Sequence, residues 1–259
     1  MIVVGLTGGM GQGKSTVGEI LRQLAEVDYK ADLEASYPIS EVANAWIATW
    51  PKPLDMAAGQ SLVDLANELI VKFPPILEQI TGKSAEVSRL VIDPYDPQSL
   101  ALHNRLLRYL DHWVLLSDKE ATAQLPTPIT PDNKGLHRAL LMWIGGVSVE
   151  VVSPTIWSDL LDRRIKQLAD RGYKLVTVGG IRYDHDADMI HANDGTVLKV
   201  SRPNSAKSSD ITETAMKDII PDSVLYNDGS LAQLEAVTQK LWRDLEAHTP
   251  KAEYHASAS

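Results

Sequence analysis

Hydrophobic positions follow two rhythms along this chain. An unbroken apolar run, "IVVGLT" at 2–7, ends in glycines and predicts a buried strand. Val17, Ile20, Leu21 and Leu24 then recur at helical spacing and predict a helix over 15–26. A brief second strand is expected around 29–32. From about 38 to 146 the character changes. Leu62, Leu65, Leu69 and Ile70, and later Leu102, Leu106, Leu107 and Leu110, mark helices, while "FPP", "DPYDP" and "LPTPITPDN" read as proline breaks between them. No strand-like alternation occurs there. The first rhythm returns with a helix over 155–172, a strand in "YKLVTVGG", a helix over 184–192, strands in "GTVLKVSRP" and "DSVLYND", and a final helix in "GSLAQLEAVTQKLWRDL". Ser230 and Gln233 have capping-box spacing at its start.

Strands separated by helices imply a parallel sheet with crossover connections. The expected fold class is therefore α/β: a parallel sheet flanked by helices, of the P-loop NTPase, nucleotide-kinase-like kind, with a large helical insertion. The expected division is a core from 1–37 and 147–247, an insertion over 38–146, and a flexible tail over 248–259, where "HTPKAEYHASAS" is polar and rich in small residues.

Composition narrows the choices. With 259 residues, 44% hydrophobic and 23% charged, the chain can bury a substantial core. A net charge of −9 argues against nucleic-acid polymers and anionic membrane surfaces as partners. Cysteine is absent, so disulfides and thiolate metal sites are excluded. No stretch approaches the ~20 apolar residues of a membrane span. The expectation is a cytoplasmic protein acting on a small molecule, with a homodimer left open.

The chemistry begins at Gly8-Gly9-Met10-Gly11-Gln12-Gly13-Lys14-Ser15, which fits G-x-x-x-x-G-K-[ST] between a strand and a helix. Glycines let successive N–H groups converge on phosphate oxygens, and the helix that follows aims its positive end at the same anion. Lys14 is suited to the β- and γ-phosphates, the Ser15 hydroxyl to magnesium, and Thr16 continues the helix start. These residues predict a site for ATP and Mg2+.

"GLTGGMGQGKST" closely resembles the opening of dephospho-CoA kinases and, more broadly, of P-loop small-molecule kinases. "RALLMWIGG", "IWSDLLDRRI", "VTVGGIRYDHDADMIHANDGTVLKVSRP" and "TETAMKDIIPDSVLYNDGSLAQL" resemble, in that order, phage-type deoxynucleoside monophosphate kinases. The resemblance covers about the first 35 residues and roughly 136–245, and leaves out the helical middle. It implies ATP-dependent phosphoryl transfer to a nucleotide-type acceptor, best matched by a deoxynucleoside monophosphate, with the insertion closing over the acceptor. The dephospho-CoA reading is the alternative, although that family's His-Pro helix start and R-x-x-x-R lid are not found. A nucleotide-binding sensor without transfer is an alternative of another class.

The resemblance also nominates single residues. Asp32 is expected just past the second strand, at the carboxyl edge of the sheet, where it could orient the acceptor or hold magnesium; a solvated or capping aspartate is the competing reading, and Glu34 is a poorer candidate. Arg182 matches the arginine of the family's "DVRF" pattern and is suited to clamping a phosphate, against a plain ion pair with Asp184, Asp186 or Asp188. The acid of that pattern is Gly180 here. Arg163 and Arg164 lie on a helix, where one could face the phosphates, against a surface pair with Asp159 or Asp162. Arg202 and Lys207 flank a polar loop placed like a lid. Asn227, with Asp228 and Gly229, ends the last strand near where related folds hold adenine. Trp46, Trp143 and Trp157 read as packing residues that could instead line an acceptor pocket.

Overall fold

The computed structural model describes residues 1–9, 11–25, 30–34, 37–51, 54, 56–119, 128–130, 132–203, 219–251 and 253–256. It divides into two compact units, one of 1–36 with 158–259 and the other of 37–157.

In the first unit six strands form one parallel sheet: β1 (Ile2–Thr7), β2 (Lys30–Glu34), β3 (Leu175–Gly179), β4 (Thr196–Ser201), β5 (Ser223–Tyr226) and β6 (Glu253–His255), in the order β2-β3-β1-β4-β5-β6. β1 lies inside the sheet with β3 on one side and β4 on the other. Its alternate residues serve two cores, as the period of two requires. Val4 and Leu6 pack with Val17, Ile20 and Leu21 of α1 (Lys14–Leu24) and with Leu234, Leu241 and Leu245 of α9 (Leu231–Glu246). Val3 faces the other way, to Leu161, Ile165 and Leu168 of α7 (Ile156–Asp170) and Met189 and Ile190 of α8 (Asp184–Ala192). Gly5 shares that face; a Cβ there would come within 2.8 Å of Ile190 Cγ1, so only a glycine lets α8 sit this close. Ser230 caps α9, its Oγ accepting from Gln233 N while Gln233 Oε1 accepts from Ser230 N, a reciprocal capping box.

The second unit is helical among its described residues: α2 (Tyr37–Ile47), α3 (Leu62–Ile70), α4 (Phe73–Thr81), α5 (Pro97–Lys119) and α6 (Arg138–Val151). Its core is aromatic, with Trp46 against Trp50, Phe73 and Trp143 at centroid distances of 5.0, 4.9 and 5.3 Å. The prolines of "FPP" mark the expected break, with α3 ending at Ile70 and α4 beginning at Phe73. They occupy the first turn of α4, where a missing N–H costs nothing.

Two expectations need correction. The helical unit runs on to Trp157, beyond the expected limit at 146, because α6 buries Leu140, Trp143, Ile144 and Val147 in its aromatic core. The segment after 248, expected to be a flexible tail, contributes β6, since Tyr254 is buried beside Leu225 and Trp242 and its backbone pairs with β5. The second strand expected around 29–32 is present as β2, and residues 26–29 fall outside the described set.

Candidate active site

Every strand of a parallel sheet sends its exit loop to the same edge, and open α/β sheets bind ligands there, beside a strand whose neighbours lead off in opposite directions. β1 is such a strand. The turn after it is tight: Gly8, Gly11 and Gly13 have φ of 129°, 73° and 100°. At Gly13 both backbone and space demand glycine, because a Cβ would lie 2.6 Å from Asn227 Nδ2. Gly13 is also the N-cap of α1, and its lack of a side chain leaves the start of the helix, beside Ser15 and Thr16, without a side-chain cap.

Hydrogen bonds hold the turn. Gln12 Oε1 accepts from Gly9 N at 2.8 Å, and Lys14 Nζ donates to the carbonyls of Gly8 and Gly9 at 2.6 and 2.7 Å. Asn227, from the exit of β5, donates through Nδ2 to Gln12 O at 3.0 Å. The loop after β5 is thus tied to the loop after β1 although 215 residues separate them.

An open pocket of about 400 Å3 lies against this arrangement. One end is formed by Gly11, Gly13, Lys14, Ser15 and Thr16; Arg202 enters from the exit of β4, and Asn227 and Gly229 from that of β5. Leu231 and Leu234 of α9 supply an apolar wall, Leu234 buried and Leu231 largely exposed. Of the residues expected to bind the cofactor, Gly11, Gly13, Lys14, Ser15, Thr16 and Asn227 therefore line one pocket. Gly8, Gly9 and Gln12 build the turn behind it, and Met10 lies outside the described residues. Arg202 lines the pocket as well, while Lys207 lies outside the described residues. Leu231 and Leu234 carried only a weak signal, apolar residues three apart at the start of a capped helix, that does not by itself distinguish a pocket wall from a core face.

Asp32 is not at the carboxyl edge. It sits in the middle of β2, in register with Thr177 of β3, which is itself in register with Val4 of β1. Two further residues of β2 and three of β1 lie beyond that level, so Asp32 is ~7 Å short of the end of its own strand and ~10 Å short of the end of β1 at 3.3 Å per residue. Its Oδ1 receives the Thr177 hydroxyl at 2.7 Å and pairs with Arg22 Nη1 of α1 at 2.7 Å. Arg22 also donates to Thr177 Oγ1 at 2.8 Å and pairs with Glu19 at 2.7 Å, so the carboxylate closes a strand–helix network. Arg22 and its hydrogen bonds hold Glu19 below the usual carboxylate range.

Arg182 follows β3 and is exposed; its backbone N–H donates to Asp186 Oδ2 at 3.1 Å, as does that of Tyr183 at 3.2 Å. Burial pushes the Asp186 carboxyl up, against the pull of these two N–H groups and the nearby His185 and Arg182 charges. Gly180, two residues earlier, has φ 77°, a left-handed conformation that disfavours most side chains. Arg163 and Arg164 are exposed on α7, and Arg164 reaches Gln167 at 3.5 Å. Trp46, Trp143 and Trp157 are buried, their indole N–H groups donating to Leu69 O, His103 Nδ1 and Gly145 O. They serve the packing role. Among the described residues no cluster of three or more His, Asp or Glu side chains could hold a metal ion, and no single helix is long and apolar enough to cross a membrane.

Residues 135–238 match the family model for deoxynucleotide monophosphate kinase. No individual curated protein matches the chain. The matched segment carries β3, β4, β5 and the pocket residues Arg202, Asn227, Gly229, Leu231 and Leu234; the glycine turn after β1 lies outside it yet lines the same pocket. On an α/β P-loop kinase fold with a parallel six-stranded sheet, the chain is therefore similar to deoxynucleotide monophosphate kinases, and the match supports a nucleotide kinase.

Proposed function

We propose that this protein transfers the terminal phosphoryl group of ATP to a deoxynucleoside monophosphate. The observation that carries the reading is the meeting, in one pocket, of a G-x-x-x-x-G-K-S turn with residues of the matched kinase segment. Phosphoryl transfer asks little covalent chemistry of a protein; it asks for positioning and neutralisation of charge. The N–H groups of the turn and of the start of α1 suit the phosphate oxygens. Lys14 neutralises charge between the outer phosphates, and Arg202 adds a second cation at the rim. Leu231 and Leu234 suit the flat apolar face of a nucleoside. Arg182 leaves the same edge of the sheet and is assigned to the acceptor's phosphate.

The donor set fits magnesium in a water-rich form. Ser15 offers one hydroxyl, and no carboxylate is among the described residues lining the pocket. Magnesium keeps several waters and binds through few protein groups, so Ser15, the phosphates and water suffice, with Asp32 left out of the metal site. When bound, the ion would offset charge on the phosphates.

An ADP-release assay across the deoxynucleoside monophosphates, with dephospho-CoA as a further acceptor, tests the reading. Turnover is expected with at least one deoxynucleoside monophosphate. Turnover with dephospho-CoA alone would replace the acceptor class, and ATP binding without turnover on any acceptor would favour the sensor.

A further inference from the structure

The segment after α9 was expected to be peripheral, yet it backs the pocket. β6 runs parallel to β5, with Tyr254 in register with Leu225 and His255 with Tyr226. The segment is anchored on both sides of this pairing. Ser223 Oγ donates to Lys251 O at 2.7 Å, Lys251 N donates to Tyr254 Oη at 2.7 Å, and Tyr254 Oη donates to Asp244 of α9 at 2.9 Å. Above this anchor the His255 ring lies flat on Tyr226, centroids 4.3 Å apart and planes 10° from parallel. His255 Nδ1 is 3.6 Å from Asp228 Oδ2, and Ala256 N donates to Tyr226 O at 3.0 Å. Gly229 rests on the Ala256 carbonyl so closely that a Cβ would be 3.0 Å from its oxygen.

The residues touched here, Tyr226, Asp228 and Gly229, surround Asn227. Asn227 and Gly229 line the pocket, and Asn227 holds the glycine turn through Gln12 O. A continuous line of contacts therefore runs from β6 to the turn that carries Lys14.

We propose that residues 253–256 are a positioning element of the pocket: β6 holds the Asn227–Gly229 loop from behind, and the His255 ring on Tyr226 is its clasp. His255 touches no pocket space itself; it acts through the loop. The inference rests on the reading of the pocket as a nucleotide site. Without the clasp, the loop samples other conformations, and a nucleotide must select the competent one, which weakens binding in proportion to its population.

The test is a titration of the full chain with a fluorescent ATP analogue, displaced by ATP, for wild type, His255→Ala, His255→Phe and Lys14→Ala, with thermal melts alongside. His255→Ala removes the stack and is expected to weaken nucleotide binding about three- to tenfold, the range one aromatic pair supports. His255→Phe keeps the stack and restores wild-type affinity, which a merely destabilising change at this exposed position would not do. Equal affinity of His255→Ala and wild type would overturn the proposal, as would His255→Phe binding as weakly as His255→Ala. Failure of wild type to bind, or undiminished binding by Lys14→Ala, would overturn the nucleotide reading itself and this inference with it.

Discussion

Replacing Asp32 separates two roles that the sequence left level. In the structure its carboxylate is a strand–helix tie. It accepts the Thr177 hydroxyl at 2.7 Å and pairs with Arg22 at 2.7 Å, with the Asp32 side chain 52% exposed. A pair this open to solvent contributes roughly 0.2–1 kcal/mol. The hydrogen bond from Thr177 to a charged acceptor adds about 1.5–3 kcal/mol at most, less for the solvent that reaches it. Asp32→Ala should therefore cost about 2–3 kcal/mol of stability, read as a lower urea midpoint with unchanged slope. Asp32→Asn keeps an acceptor for Thr177 and should cost about 1 kcal/mol. Neither should reduce kcat in an ADP-release assay by more than a few-fold, because the group lies ~10 Å short of the end of β1, where the glycine turn begins. A general base at this position would instead be worth about 10²–10⁴-fold. A hundredfold fall in kcat for Asp32→Asn, with the urea midpoint unmoved, would refute the placement.

Two further perturbations follow from the same geometry. Gly13→Ala forces a side chain into φ 100° and against Asn227 Nδ2, so it should lower stability by about 1–3 kcal/mol and weaken ATP-analogue binding at least tenfold; a variant that binds like wild type would count against the Asn227–Gln12 tie. Burial lowers the pKa of His103 and of His137 in the helical unit, so the folded state takes up their protons less readily than the unfolded chain. Their contribution is fully present above the unfolded value near 6.5 and is lost as pH falls below it toward the folded values. Thermal melts followed by tryptophan fluorescence should show acid destabilisation beginning below about pH 6.5, reduced in His137→Phe; an unchanged acid limb in that variant would contradict the assignment.

Local signals carried the parts of this fold that are locally determined. β1, α8 and the capped start of α9 were legible because an apolar run, a helical spacing or a capping pair lies within a few residues. The glycine turn was legible for the same reason: its φ values and its helix cap are properties of one short stretch. Register is different. That Asp32 faces Thr177 rather than the pocket depends on how β2 aligns with β3, across 145 residues, and on Arg22 reaching over from α1. No local pattern encodes that alignment. β6 was hidden for a related reason: among small and polar neighbours only Tyr254 marks it, and its partner strand lies about 30 residues earlier. Leu231 and Leu234 read as ordinary helix positions, because lining a pocket and facing a core have the same spacing.

The most direct test is transfer itself. Wild type and Lys14→Ala are incubated with γ-labelled ATP and each deoxynucleoside monophosphate, and the label is followed into deoxynucleoside diphosphate. The account predicts label in at least one diphosphate with wild type and none above background with a folded Lys14→Ala. A folded Lys14→Ala that transfers as well as wild type, or a wild type that binds ATP and labels none of these acceptors, would contradict it.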